Sequence, residues 1–304
     1  VEGTNALYGG ATANDNSGIL RYVQIRYSGY VVGNNNELQA LTLAGVGSGT
    51  TIDYVQSYNS SDDGIEIFGG NVNLKHIVIN GADDDGLDTD SGWRGGAQFG
   101  IVTQRNVPGS TSRSAGFEFS AAPNTTPLAN RYVSQPKIAN WTLVGRNAPL
   151  EAHTVAHFDT GTDATVLNSI FTSAAGSAAG CFDIADADTV TSAPVFTSVY
   201  MSCGISYRPG NAANPTQSAN VFNAGTGNTA AGASTMTAPT GATIANQFLA
   251  FINGANENAV TAVDAKAVYS WFEATTYIGA VRNQSDTWWA VWTCGLQAGS
   301  SCQE

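Results

Sequence analysis

Asp62-Asp63-Gly64-Ile65-Glu66 and Asp84-Asp85-Gly86-Leu87-Asp88 align residue for residue at a separation of 22, and this coincidence decides between the folds open to the chain. In a sandwich of hairpins, neighbouring strands pair antiparallel through tight turns, and nothing returns an Asp-Asp-Gly in register one circuit later. In a parallel solenoid each circuit stacks on the one before, so equivalent residues recur. Working outward, Leu41-Thr42-Leu43, Ile65-Glu66-Ile67, Leu87-Asp88-Thr89 and Phe117-Glu118-Phe119 form one series of short alternating segments, each a strand with one buried face. Tyr22-Val23-Gln24, Tyr54-Val55-Gln56, His76-Ile77-Val78 and Gln98-Phe99-Gly100-Ile101 form a second series in step with it. A looser third series pairs 138–143 with 166–171 at 28 residues and with 195–200 a further 29 on. The fold expected is all-β, a right-handed parallel β-helix, with a sandwich as the minor alternative.

Composition agrees. The 304 residues are 42% hydrophobic, ample for a packed core, and the length allows one large domain or two ordinary ones. Charged residues make up 12%, about half the roughly 25% usual for a soluble domain. With 34 Gly against 9 Pro, collagen and long-helix patterns are excluded. Twelve basic against 24 acidic side chains leave a net charge of −12, with Lys75, Lys137 and Lys266 the only lysines. A nucleic-acid groove or an anionic membrane surface would repel such a chain, so the partners expected are neutral, cationic or calcium-bridged. No apolar run approaches the roughly 18 residues of a membrane span. The opening on Val1, with neither Met nor a signal-peptide pattern, suits a mature or trimmed product. Four cysteines and an abundance of Gly, Ala, Ser, Thr and Asn suit an extracellular or bacterial cell-surface protein in an oxidising compartment.

Three segments are expected: solenoid rungs over 1–208, a Gly/Ala/Thr/Asn-rich excursion or linker over 209–243, and a C-terminal cap over 244–304. Cys181 and Cys203 lie one circuit of 22 residues apart, so they can stack within the Cα separation of about 4.4 to 6.8 Å that a disulfide spans. Cys294 and Cys302 would close a short loop. Four cysteines formally allow three pairings; this one is geometrically cheapest, and with no C-x-x-C its role is stapling. In the tail, helical spacing is present at Ile244, Phe248, Phe251 and Ile252, and again at Val260, Val263, Ala267 and Trp271, where Thr261 and Asp264 have capping-box spacing. Trp271, Tyr277, Trp288, Trp289 and Trp292 suggest a mixed α/β aromatic cap over the open edge of the last rung. A sugar-stacking platform is the second reading of the tryptophans; a cap core or protein interface is preferred.

The stretches Ser17-Gly18-Ile19-Leu20-Arg21-Tyr22-Val23, Asn36-Glu37-Leu38, Gly45-Val46-Gly47-Ser48-Gly49-Thr50-Thr51-Ile52, Asp62 to Gly70, Asp83-Asp84-Asp85 and Gln98-Phe99-Gly100, with Tyr277-Ile278-Gly279-Ala280 and Trp288 to Trp292 in the tail, resemble secreted bacterial right-handed β-helix surface proteins of the pectate-lyase-like superfold. The resemblance is close over the first hundred residues, loose in the tail and carried only by periodicity between. It implies the fold and an extracellular location, and it supplies no reaction. Members generally carry sequence before the position of Val1. A bare first rung would invite pairing with another chain, so either preceding residues or a neighbouring copy, head to tail, is expected to cover it. Such a heterologous contact does not close and generates a filament.

Candidate chemistry is concentrated: nine of the 24 acidic residues fall between Asp53 and Asp90. The 22-residue register stacks Asp62 on Asp84, Asp63 on Asp85 and Glu66 on Asp88 at the roughly 4.8 Å spacing of adjacent strands. Like charges so placed destabilise a ladder. Calcium, held by Asp62, Asp63, Asp83, Asp84, Asp85, Asp88 and Asp90, would compensate, as would raised carboxyl pKa values or pairing with Arg94, Lys75 or Arg105. Turn carboxylates capping backbone amides are the equal alternative. The loop is not an EF-hand, since aligning Gly86 with that loop's glycine puts Gly81 at the first ligand and Gly92 where the glutamate belongs.

A polysaccharide-active enzyme is the runner-up function. Glycoside hydrolysis needs two carboxylates about 5 to 9.5 Å apart, and Asp63, Asp85, Glu66 and Asp88 could supply them. Against it, the Gly-His-Gly and Arg-Ile-Lys elements of polygalacturonase-like β-helices are absent, and the few Lys and Arg show no lyase-type cluster beside the acids. Glu151, His153, His157 and Asp159 share one strand face, but residues four apart on a strand are about 13 Å distant, too far for one zinc. His153 with Glu151 could chelate only with a ligand from another rung, and hydrogen-bonded structural histidines are expected, His76 included. The expected function is therefore a structural or adhesive surface protein that self-assembles end to end and contacts surface glycans, with an enzyme or a carbohydrate-binding module as alternatives.

Overall fold

The computed structural model describes residues 7–33, 36–106, 114–121, 127–147, 153–173, 177–208, 215–242, 249–297 and 299–302. Among these, a nine-stranded sheet is built on the long strands Ile19–Arg26, Thr51–Tyr58, Asn73–Asn80, Gly96–Thr103 and Lys137–Gly145. It continues through the split pairs Thr165–Leu167 with Ile170–Ser173 and Val195–Thr197 with Tyr200–Ser202. A seven-stranded sheet collects Leu41–Ala44, Ile65–Phe68, Leu87–Asp90, Phe117–Phe119, Thr154–Phe158, Gly180–Ile184 and Ile205–Tyr207. The pairings in both sheets are parallel. A chain that visits two sheets alternately and advances one strand per circuit is a parallel β-helix.

Register follows the sequence repeats. Val55 lies between Val23 and Ile77, and Leu87 lies between Ile65 and Phe117. The third series holds at its first step, Ile138 on Val166. Its second step differs by one, since Val166 faces Phe196 rather than Val195. A one-residue slip exchanges the faces of a strand, and here Phe196 is fully buried while Val195 is 49% exposed. Hydrophobic bulk, not segment similarity, sets that rung.

Each long strand is bent at its fourth residue. Tyr22, Tyr54, His76, Phe99 and Asn140 all have φ between 54° and 61°, a left-handed conformation that costs roughly 1–2 kcal/mol for a residue with a Cβ. Stacking across rungs offsets that cost: ring centroids lie 4.6 Å apart for Tyr22–Tyr54, 4.2 Å for Tyr54–His76 and 5.3 Å for His76–Phe99. The bend gives the solenoid a third face. Inside it, Leu74, Ile77, Ile65, Leu87, Phe117, Phe119, Trp141 and Phe158 are fully buried in one continuous core. Gly100 sits against Trp141, whose ring lies 2.1 Å from where a Cβ would be, so only glycine lets the indole enter this rung.

The tail takes a course the sequence did not suggest. It lies lengthwise on the flank of the nine-stranded sheet, from the last rungs back to the first. Ser198 donates to the Thr261 carbonyl, Asn168 exchanges two hydrogen bonds with Val263, Gln98 two with Glu273 and Gln56 two with Cys294. Arg26 of the first rung reaches the Cys302 carbonyl. The last rung is covered instead from within 209–243, where the helix Pro215–Ala224 buries Phe222 against Phe182, Phe196 and Tyr207. Of the two expected tail helices, Ile244 and Phe248 lie outside the described residues, while Phe251 and Ile252 are extended, Ile252 bridging Thr237 and Val281. The second shrinks to four residues, Ala265–Val268, capped by Asp264 rather than Thr261. Both disulfides form as expected, with Cα separations of 5.6 Å for Cys181–Cys203 and 5.1 Å for Cys294–Cys302.

Candidate metal centre

Because Ile65, Ile67, Leu87, Thr89, Phe117 and Phe119 point into the core, strand alternation turns the residues between them outward. Glu66, Asp88, Glu118, His157 and Asp183 therefore stack in one column across five rungs of the seven-stranded sheet. Asp63 and Asp85 lie one turn ahead of it and are buried. Asp63 accepts the Asp85 N–H at 2.9 Å, and Asp85 accepts the Ala115 N–H, so the turn-capping reading holds for these two carboxylates. Capping leaves further oxygens. Those of Asp62, Asp63 and Asp84 lie within 4.8 Å of one another, as do those of Asp63, Glu66 and Asp88. That span is what opposite ligands of one calcium ion reach with bonds of about 2.4 Å. Asp88 Oδ1 is buried with no hydrogen-bond partner among the described residues.

The other expected ligands are engaged elsewhere. Asp83 forms an ion pair with Arg105, and its carbonyl accepts from Arg146 at 3.1 Å. Asp90 accepts the Ser91 N–H at 2.6 Å. Lys75 pairs with Glu273 of the tail at 2.8 Å and does not approach this cluster. Of the cations expected to pair with the acids, Arg105 does so, and Arg146 joins it, each placed just beyond the end of a later strand.

Burial is the first cause of the electrostatics. It pushes the Asp63 carboxyl well above its usual range, with Glu66, Asp62 and Asp84 adding to the rise and the Asp85 amide opposing it. Asp85 is raised by burial and then by Glu118, Asp84 and Asp63. Asp88 is raised by burial and by Asp63, Glu66 and Glu118, and Asp90 by burial against the Ser91 hydrogen bonds. Without a cation these carboxyls hold protons that an isolated carboxyl would have released. A divalent ion would take the place of those protons.

The three histidines differ. His76 bonds Asp53 at 2.8 Å within the ring stack. His153 bonds Ser114 at 2.9 Å and is lowered to about 4, first by burial and then by Arg146; its supposed partner Glu151 lies outside the described residues. His157 has Asp183 at 3.0 Å on Nδ1 and Asp159 at 3.4 Å on Nε2.

The tail aromatics serve mostly as packing. Trp289 is buried edge-on against Phe251. Trp288 lies 5.2 Å from His76, and Trp292 stands edge-on to Tyr22 and Tyr54. Tyr277 gives its carbonyl to Asn140, and burial raises its phenol to about 12. Trp271 is half-buried under Lys75 and lines a cavity of about 260 Å³ with Arg21, Thr51, Asp53 and Asn73.

The family model for the pectate-lyase-like β-helix domain matches residues 1–293. The chain belongs to this family. No curated protein and no solved structure matches it. The pectate-lyase-like match spans both sheets, the acidic column and the tail as far as Thr293, short of the Cys294–Cys302 loop. Among the described residues no helix is long and apolar enough to cross a membrane.

Arg146, Glu118 and Gln56 are the positions that matter and were not singled out from sequence. Glu118 was within reach, since Phe117-Glu118-Phe119 is in the same repeat series as Ile65-Glu66-Ile67. Gln56 repeats Gln24, which likewise bonds the tail through the Trp292 carbonyl at 2.7 Å. Arg146 stands in no repeat and carried no signal.

Proposed function

We propose that this chain is the solenoid of an extracellular structural or adhesive protein whose acidic outer column holds calcium. The observation that carries the reading is the in-register stack of Glu66 and Asp88 with Asp63 in reach of both. Carboxylates stacked at strand spacing repel unless protonated or bridged, and extracellular calcium is the cation that all-oxygen sites take. Two disulfides support an oxidising location. The Trp271 cavity, with Arg21 and Lys75 on its wall, supports contact with a surface glycan.

The test is calorimetric titration of the chelator-treated protein with calcium, together with electron microscopy of both forms. The reading expects saturable binding and a higher melting temperature, both lost in Asp63→Asn and Asp88→Asn. Absence of binding in the parent protein overturns it. A second reading, a polysaccharide-active enzyme, is favoured by the placement of Arg105 and Arg146 beside Asp83; release of reducing or unsaturated ends from polysaccharides, abolished in Arg146→Ala, would establish it.

A further inference from the structure

Two rungs beyond Asp63 the outer column changes character. Glu118 of Phe117–Phe119 pairs in register with His157 of Thr154–Phe158, and Asp159 follows immediately after that strand. One ligand atom from each of Glu118, His157 and Asp159 lies within 4.8 Å of the others. The long loop between the two strands hides this constellation in the sequence, where Glu118 is 39 residues from His157.

We propose that Glu118, His157 and Asp159 bind a divalent transition-metal ion of the zinc type, at a site with ligands of its own that adjoins the calcium cluster through the register of Glu118 on Asp88. Three observations carry this. The His157 side chain is fully buried, and its Nε2 stands 3.4 Å from Asp159 Oδ2. That distance is long for a hydrogen bond and close to the edge of a tetrahedron with bonds of about 2.0–2.1 Å, which is about 3.3 Å. The opposite nitrogen, Nδ1, is held at 3.0 Å by the fully buried Asp183, itself anchored at 3.2 Å by Arg208. A carboxylate on the far nitrogen is the usual device that fixes a ligating imidazole. Ser120 donates to Asp159 Oδ1, which leaves Oδ2 turned toward the imidazole.

Ligand chemistry separates this ion from the other. An imidazole suits zinc and its neighbours, whereas calcium takes oxygen. Three protein ligands leave a fourth position for water or for an oxygen of a bound molecule.

The experiment is titration of the metal-free protein with cobalt(II) and with zinc in calcium-saturated buffer, read by cobalt absorption and by calorimetry. The expected result is one equivalent bound with a tetrahedral cobalt spectrum, displaced by zinc and not by calcium. His157→Asn and Glu118→Gln lose it, while Asp62→Asn retains it. If His157→Asn does not fold, Asp159→Asn, altered at a partly exposed position, gives the same reading, and circular dichroism reports the fold. No bound cobalt in the parent protein, or undiminished binding in folded Glu118→Gln and Asp159→Asn, overturns the proposal. Because calcium is present throughout, the result does not depend on whether the Asp63 cluster binds calcium.

Discussion

Gln56 and Cys294, 238 residues apart, are joined by a reciprocal pair of buried hydrogen bonds: Gln56 Nε2 to the Cys294 carbonyl at 2.8 Å, and the Cys294 N–H to Gln56 Oε1 at 2.9 Å. A primary amide presents donor and acceptor with the spacing of a peptide group, so an outward-facing Gln or Asn on a rung can extend the hydrogen-bonding of the tail backbone. Gln98 with Glu273 and Asn168 with Val263 repeat the arrangement along the flank. Gln56→Leu keeps the volume and strands both Cys294 groups. The expected loss is about 2 to 4 kcal/mol, measured by urea denaturation, with hydrogen exchange rising over 288–302 before it rises in the strands. Unchanged exchange there would mean that the tail is held by its aromatics alone.

Gly100→Ala should cost about 3 kcal/mol, at the upper end of overpacking penalties, because the new methyl would meet the buried Trp141 ring at 2.1 Å. The double variant Gly100→Ala with Trp141→Leu should recover part of that loss, since removing the indole removes the clash. A thermal melt of the three proteins decides it, and additive losses would place the strain elsewhere.

Removing the Cys181–Cys203 bridge by paired serine substitution should cost about 2 to 4 kcal/mol, because it joins consecutive rungs across 22 residues. Cys294–Cys302 closes a loop with a separation of only 8 and should cost less. Differential melting of the two paired variants gives the order, and the reverse order would assign the tail loop a larger share of the fold.

The ladders were legible because they are repeats: a parallel solenoid copies its core residues at fixed intervals, and Ile65, Leu87 and Phe117 announce themselves. The bend at Tyr22, Tyr54, His76 and Phe99 was hidden inside the same repeats, since an alternating pattern with one left-handed residue reads as an unbroken strand. The tail was misplaced because its aromatic content states that it packs, not where. Its position is specified by single amides on distant strands, Gln56, Gln98 and Asn140, which look like ordinary polar residues. The acid cluster was legible where its register is 22, at Asp63 and Asp85. It was lost at Glu118 and His157, where a 39-residue circuit breaks the period.

The raised carboxyls give the protein a pH dependence whose sign can be worked out. Burial, then neighbouring carboxylates, raises Asp63, Asp85 and Asp88 in the folded chain. Folded protein therefore keeps protons that unfolded protein has released, and in chelator stability falls as pH rises from the ordinary carboxylate range through the raised folded values. His153 acts oppositely: with a folded value of about 4 against the ordinary 6.5, the unfolded chain binds the extra proton, and stability falls as pH drops from 6.5 toward 4. Chelated protein should accordingly be most stable on the acidic side of neutrality. Calcium binds the ionised form and should remove the decline toward alkaline pH. Asp85→Asn, which cannot ionise, should flatten that decline in chelator. Urea midpoints from about pH 5 to about pH 9, with chelator or with calcium, measure all three effects. A chelated midpoint that rises steadily to alkaline pH would show that the buried carboxyls are ionised in the folded chain and compensated by the arginines beside them.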